Sequence, residues 1–196
     1  MAKTVEFYFD VGSPASYLAW TQLPGICAQH GAILVFKPML LGGIFQATGN
    51  ASPASIPAKG RYTSIDFQRY AGRYDVPFHF NPHFPINTLN LMRAVIGVQI
   101  KYPERFETML AALFKALWVD QLNLNLPEVI AATVIGAGFQ LEEIQALISD
   151  PQIKSALKDN TDQALARGVF GAPTMFVGDE MFFGQDRLDF VTQAIG

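Results

Sequence analysis

Strand-like sequence lies at the two ends of this chain, and that arrangement restricts the fold more than any other feature. Val5-Glu6-Phe7-Tyr8-Phe9 alternates and is rich in aromatic residues, and Ile33 to Met39 reads as a second strand. Thr174 to Val177 and Met181 to Phe183 read as two more, around a Gly178-Asp179 turn. After the first strand, Asp10-Val11-Gly12 breaks the alternation. Ser13-Pro14 then supplies a helix start, a hydroxyl at the N-cap and a proline at the first helical position. That helix carries Ala15, Leu18 and Ala19 inward and is expected to kink at Pro24-Gly25, because Pro24 has no N–H to give. It resumes through Cys27 and stops at Gly31. The opening is one strand–helix–strand unit.

Between the two ends the pattern changes. From Leu41 to about Arg61, glycines at 42, 43, 49 and 60 and prolines at 53 and 57 predict a loop. Residues 62–75 predict a polar helix, and the three prolines between Val76 and Pro85 an irregular segment. Helical periodicity follows in residues 87–100 and again from Pro103 to Gln121, where Phe106, Leu110, Leu113 and Leu117 recur at spacings of three and four, with Trp118 in the same apolar stripe. Pro127 to Gly138 and Leu141 to Ile148 add two helices, Asp150-Pro151 opens one that ends at Gly168, and Asp186 to Ile195 forms the last. The order is βαβ, a long helical block, then ββα. That is an α/β chain with a thioredoxin-like core, residues 1–40 and 169–196, interrupted by a large all-helical insertion over residues 41–168.

Composition narrows the function. Of 196 residues, 50% are hydrophobic and 16% charged, enough to fill a sizeable core. A formal net charge of -3 gives no electrostatic reason to expect nucleic acid or an anionic membrane as partner. Met-Ala-Lys-Thr runs straight into the first strand without a secretory pattern, and no apolar run of ~18 residues exists to span a bilayer, so a soluble, cytoplasmic protein is expected. One cysteine excludes an intrachain disulfide, and Cys27 reads as a small core residue. Sixteen phenylalanines exceed what one small core usually needs, and a minority are expected to line an aromatic pocket.

Three separated stretches carry a resemblance. Ser13-Pro14-Ala15-Ser16-Tyr17-Leu18 follows the first strand. Gly49-Asn50 is followed nine residues on by Lys59-Gly60-Arg61-Tyr62. Gly168-Val169-Phe170-Gly171-Ala172-Pro173-Thr174 precedes Phe183-Gly184-Gln185-Asp186-Arg187-Leu188. In this order and spacing they resemble the 2-hydroxychromene-2-carboxylate isomerases and the similar kappa-class glutathione transferases, in the DsbA-like branch of the thioredoxin superfamily. The resemblance covers essentially the whole chain. It implies glutathione as cofactor, a small aromatic carboxylate or an electrophile as substrate, and a homodimer. It further implies that Ser13 bonds the glutathione sulfur, and that Asn50 and Lys59 contact the tripeptide or close the pocket over it. Ala172, before a cis Pro173, is to pair its main chain with the cysteinyl part, and Gln185-Asp186 to hold the γ-glutamyl end.

The residue types suit that chemistry. A free thiol has a pKa near ~8.5, so little of it is thiolate at neutral pH. At a helix N-terminus a sulfur meets unpaired N–H groups and the positive end of the helix dipole, and a serine adds a hydroxyl donor. Lowering the thiol pKa by ~2 corresponds to about 2.7 kcal/mol, within reach of charge-assisted bonds of roughly 1.5–3 kcal/mol. Ser13 would then stabilise an anion rather than attack. Each residue also has a plain reading: Ser13 a helix cap, Asn50 part of a turn, Lys59 a solvated charge, Pro173 a trans proline opening a strand, Asp186 the cap of the last helix. His79 and His83 lack a third ligand, so no metal site is expected; they either line an acceptor pocket with Phe78, Phe80 and Phe84 or simply pack. Lys59, Arg61 and Arg93 are candidate partners for a substrate carboxylate.

The leading reading is a glutathione-dependent isomerase interconverting 2-hydroxychromene-2-carboxylate and trans-o-hydroxybenzylidenepyruvate by reversible thiolate addition. A kappa-class glutathione transferase that conjugates electrophiles is the alternative. A DsbA-like disulfide oxidoreductase is disfavoured because serines hold both positions 13 and 16. A non-catalytic glutathione or peptide binder is the remaining class.

Overall fold

The computed structural model describes residues 2–196. Its strands are β1 (Thr4–Phe9), β2 (Ile33–Pro38), β3 (Thr174–Val177) and β4 (Glu180–Phe183). Its helices are α1 (Pro14–Gln29), α2 (Leu41–Thr48), α3 (Pro57–Tyr74), α4 (Leu89–Lys101), α5 (Phe106–Trp118), α6 (Pro127–Gly136), α7 (Leu141–Ser149), α8 (Pro151–Ala166) and α9 (Leu188–Ile195). The two ends of the chain meet in one sheet of order β2-β1-β3-β4, with β1 parallel to β2 and antiparallel to β3, and β3 antiparallel to β4. Phe7 stands beside Phe36 on one side and Met175 on the other. This is the thioredoxin-like arrangement, with α2 to α8 inserted between β2 and β3.

Strand alternation sorts the side chains of β1 between two layers. Val5, Phe7 and Phe9 enter the larger core, which runs on through Leu18 of α1, Val191 of α9 and Phe114 and Trp118 of α5. Tyr8 turns to the opposite face and packs with Met39, Ile44, Ala164, Val169 and Phe176. Trp118 is fully buried, and its indole N–H donates to the Val11 carbonyl at 2.8 Å. That bond satisfies its polar edge and fixes the β1–α1 turn against the helical block. Residues 76–86 are irregular as expected, and the buried Asn81 pins them to the end of α5 and the segment that follows it by donating to the carbonyls of Leu117 and Leu122. No helix among the described residues is long and apolar enough to cross a membrane.

Several boundaries differ from the sequence reading. The stretch expected to be a loop from Leu41 to Arg61 holds α2 and the first turn of α3. Helix α2 has no side-chain cap of its own; distant residues supply it, with Leu41 N–H donating to Asp10 and Leu40 N–H to Thr161. A local reading cannot see such caps. Helix α1 runs unbroken through Pro24, which is solvent-exposed, so the backbone group deprived of its partner stays near water. Pro103–Arg105 is a single 3-10 turn before α5, and Gln185–Arg187 another before α9, so the last helix starts at Leu188 rather than Asp186.

Candidate active site

The site grows from the turn between β1 and α1. Ser13 is the N-cap of α1 with extended backbone (φ -95, ψ 115), and its Oγ accepts the Ser16 N–H at 3.1 Å. The same hydroxyl donates to the Ala172 carbonyl at 3.0 Å, which joins the tip of α1 to the loop before β3. The Ala172–Pro173 peptide is cis. That loop lies close against β4: a Cβ on Gly171 would fall 2.7 Å from the Phe183 ring, so a larger residue there would have to push that ring aside. Ser16 is fully buried and its hydroxyl meets no partner among the described residues, yet it does not reach the cavity. Of the two serines at the start of α1, Ser13 is the one that reaches the cavity.

Ser13 and Ala172 face a cavity of about 730 Å³. Asn50 and Gly60 come to it from the α2–α3 side, Gln185 and Asp186 from the turn before α9, and Asp10 and Thr88 from its floor. Six of the sixteen phenylalanines line it: Phe45, Phe67, Phe80, Phe84, Phe170 and Phe183. One part of the cavity is thus edged by main-chain and hydroxyl groups, and the rest is largely aromatic.

Asp10 is the residue the sequence reading missed. It is 1% exposed, and its carboxylate accepts from Gly12 N–H, Leu41 N–H and the Thr88 hydroxyl, each at 2.9 Å. One side chain thereby ties together the β1–α1 turn, α2 and the start of α4, three walls of the cavity. Burial pushes its pKa above the ordinary 3.8, against the pull of those three bonds. The signal was present in the Asp10-Val11-Gly12 spacing, since an aspartate followed by glycine two places on favours a side-chain-closed turn. Tyr74 was missed too; its hydroxyl donates to the Gln185 carbonyl at 2.5 Å and holds the end of α3 to the turn before α9.

The expected site residues divide. Ser13, Asn50, Ala172, Gln185 and Asp186 meet around the cavity. Asn50 follows Gly49, whose φ of 70 ends α2, and its amide donates to the Phe170 carbonyl at 2.9 Å. It is both a turn residue and a brace for the Ala172 loop. Asp186 pairs with Arg187 and does not cap α9, whose N-cap position belongs to Arg187. Pro173 is buried behind Ala172 and Lys59 is exposed on α3; neither lines the cavity. Arg61 and Arg93 do not line it either. Phe80 and Phe84 do, but Phe78 belongs to the core, and His79 and His83 are exposed outside the cavity. No cluster of His, Cys, Asp and Glu fit to hold a metal ion occurs among the described residues. Cys27 is buried in the core.

A hydroxyl at the tip of the first helix, set against a cis-proline loop on a βαβ…ββα sheet, defines a thioredoxin-type site with serine as its polar group. The chain belongs to the family of DSBA-like thioredoxin domains, whose model it matches over residues 4–196. It is 29% identical to the 2-hydroxychromene-2-carboxylate isomerase of Sphingobium xenophagum, over 97% of each chain. It is also 29% identical to glutathione S-transferase kappa 1 of Homo sapiens, over 100% of this chain and 92% of that protein. A solved structure of a 2-hydroxychromene-2-carboxylate isomerase superposes with a TM-score of 0.85 at 29% identity, covering 98% of this chain and 94% of that one.

Proposed function

We propose that this cavity binds glutathione and that the protein is a glutathione-dependent isomerase, converting 2-hydroxychromene-2-carboxylate to trans-o-hydroxybenzylidenepyruvate. The observation that carries the reading is the convergence of the Ser13 hydroxyl and the Ala172 main chain on one cavity with an aromatic extension. The donor set fits the tripeptide. Ala15 and Ala172 both line the cavity, and their N–H groups meet no protein acceptor among the described residues. The Ala172 carbonyl can accept from an extended peptide, the pairing that strand-addition sites use. The Asp186 carboxylate suits the cationic γ-glutamyl amine, and Asn50 keeps a second amide proton. Lys59, outside the lining, would act at the mouth.

Bound glutathione supplies a thiolate that adds reversibly to an unsaturated carbon, turning a double bond into a rotatable single bond. The protein's part is electrostatic and steric. Ser13 and the Ala15 N–H hold negative charge at the start of α1, where the helix dipole adds to them. Phe45, Phe67, Phe80 and Phe84 take the aromatic body of the substrate and keep water away from it.

One observation favours a second reading, conjugation of glutathione to neutral electrophiles. The charged side chains at the cavity wall are Asp10 and Asp186, both acidic, whereas Lys59, Arg61 and Arg93 lie outside it. A single experiment separates the two. With catalytic glutathione and the chromene carboxylate, the isomerase reading expects complete turnover with no thiol consumed; with a panel of neutral aromatic electrophiles, the transferase reading expects one thiol lost per product. Absence of rate enhancement in both assays refutes both. The same reading places the protein in the cytoplasm as a homodimer, and light scattering that gives a particle of single-chain mass counts against the dimer.

A further inference from the structure

The Ser13 hydroxyl carries one proton, and geometry fixes where it goes. Oγ lies 3.0 Å from the Ala172 carbonyl oxygen, and because a carbonyl cannot donate, the hydroxyl does. The lone pairs of the same oxygen receive the Ser16 N–H at 3.1 Å. A hydroxyl so engaged has no proton left for an anion in the cavity. The Ala172 carbonyl that holds it is also the acceptor an extended peptide would use, with the Ala172 N–H beside it as donor. The oxygen has two lone pairs, but two donors on it compete and each is held less tightly than one alone.

Resting on the glutathione reading above, we infer that Ser13 is a gated donor, whose hydroxyl turns to the sulfur only when the cysteinyl N–H of the bound peptide replaces it on the Ala172 carbonyl. The N–H and sulfur of a cysteinyl residue are joined through Cα and Cβ, so the group that claims the carbonyl brings the sulfur alongside. Ser13 keeps the Ser16 N–H throughout, because that bond uses a lone pair. Rotation about the Cβ–Oγ bond is all the exchange requires, and α1 need not move. The ligand class selected is a thiol on a residue with a free amide N–H on its N-terminal side. Simple thiols lack that N–H; the Ser13 proton stays on Ala172, and their sulfur meets only the helix terminus.

The test compares glutathione with its ester analogue, in which an oxygen replaces the cysteinyl N–H and the thiol is kept. Each is titrated by thiolate absorbance at saturation, bound to the wild-type protein and to Ser13→Ala. For glutathione, Ser13→Ala is expected to cut the bound thiolate fraction about tenfold below the thiol pKa. For the ester, the two proteins are expected to give the same curve. An ester thiol that depends on Ser13 as strongly as glutathione does overturns the gating. A second measurement uses S-methylglutathione, which has no proton to lose. Ser13→Ala frees the Ala172 carbonyl in advance, so this ligand is expected to bind the variant as tightly as wild type or several-fold tighter; a loss of about tenfold or more overturns the exchange. If neither glutathione nor S-methylglutathione binds the wild-type protein, the glutathione reading itself falls, an outcome distinct from both of these.

Discussion

Replacing Ser13 by alanine removes two hydrogen bonds from one oxygen, and the structure prices them differently. The Ser16 N–H loses its acceptor inside a turn where Ser16 has no exposed surface, so water cannot replace it. Loss of such a cap costs about 1–2 kcal/mol. The Ala172 carbonyl loses a donor too, but it faces the cavity, where solvent can pair with it, so about 0.5 kcal/mol is appropriate. Removal of one oxygen leaves little void. The sum, about 1.5–2.5 kcal/mol, is small beside a typical domain stability of about 5–15 kcal/mol, so the variant folds. Urea unfolding followed by tryptophan fluorescence measures it; with a slope near ~2 kcal/mol/M the midpoint falls by about 1 M. Ser13→Gly is the control. Glycine at an N-cap loses only a few tenths of a kcal/mol against serine, so Ser13→Gly should lie between wild type and Ser13→Ala. A Ser13→Ala midpoint indistinguishable from wild type, or a glycine variant weaker than the alanine one, refutes the capping geometry.

Asp10→Asn sets an amide NH₂ against the Leu41 N–H or the Gly12 N–H and is expected to destabilise the protein by about 1–3 kcal/mol. Because the folded pKa of Asp10 is raised, its stabilising contribution is complete below the ordinary 3.8 and fades as pH rises through the folded value. The stability gap between wild type and Asp10→Asn should therefore widen on acidification from neutral pH; a gap that narrows contradicts the shift. Trp118→Phe removes the bond to the Val11 carbonyl and leaves space in a fully buried position, for an expected loss of about 2–3 kcal/mol in thermal or urea unfolding. Cys27 is 2% exposed and burial raises its thiol pKa, so a disulfide reagent should label it only as fast as the native protein opens. Labelling as fast as free glutathione would mean the first helix is not packed as described.

The sheet was legible because strand character at the two ends is local, written in alternation and in the Gly178-Asp179 turn. The tip of α1 was legible for the same reason: an N-cap hydroxyl and a proline at the first helical position declare themselves within two residues. Helix α2 was not. Its glycines argue for a loop, and the groups that cap it, Asp10 and Thr161, come from β1's end and from α8. Asp10 itself was overlooked because its partners are spread across three elements. The aromatic half of the site was anticipated only in number: an excess of phenylalanine says that some face a pocket, but which ones depends on how residues 76–86 drape over α5. Asn81 decides that, placing Phe80 and Phe84 at the cavity while Phe78 enters the core and the flanking histidines turn to solvent. On α3, Gly60 lines the cavity and its neighbour Lys59 does not, a division that depends on how the helix is set against the cavity and that the motif alone does not show.

The decisive measurement is an amide-resolved NMR titration of the native protein with glutathione. A tripeptide seated at the start of α1 should move the resonances of Ser13, Ala15, Asn50, Ala172 and Gln185 together and saturably, leaving those of α6 and α7 in place. A spectrum that glutathione leaves unchanged, or changes elsewhere, contradicts the account.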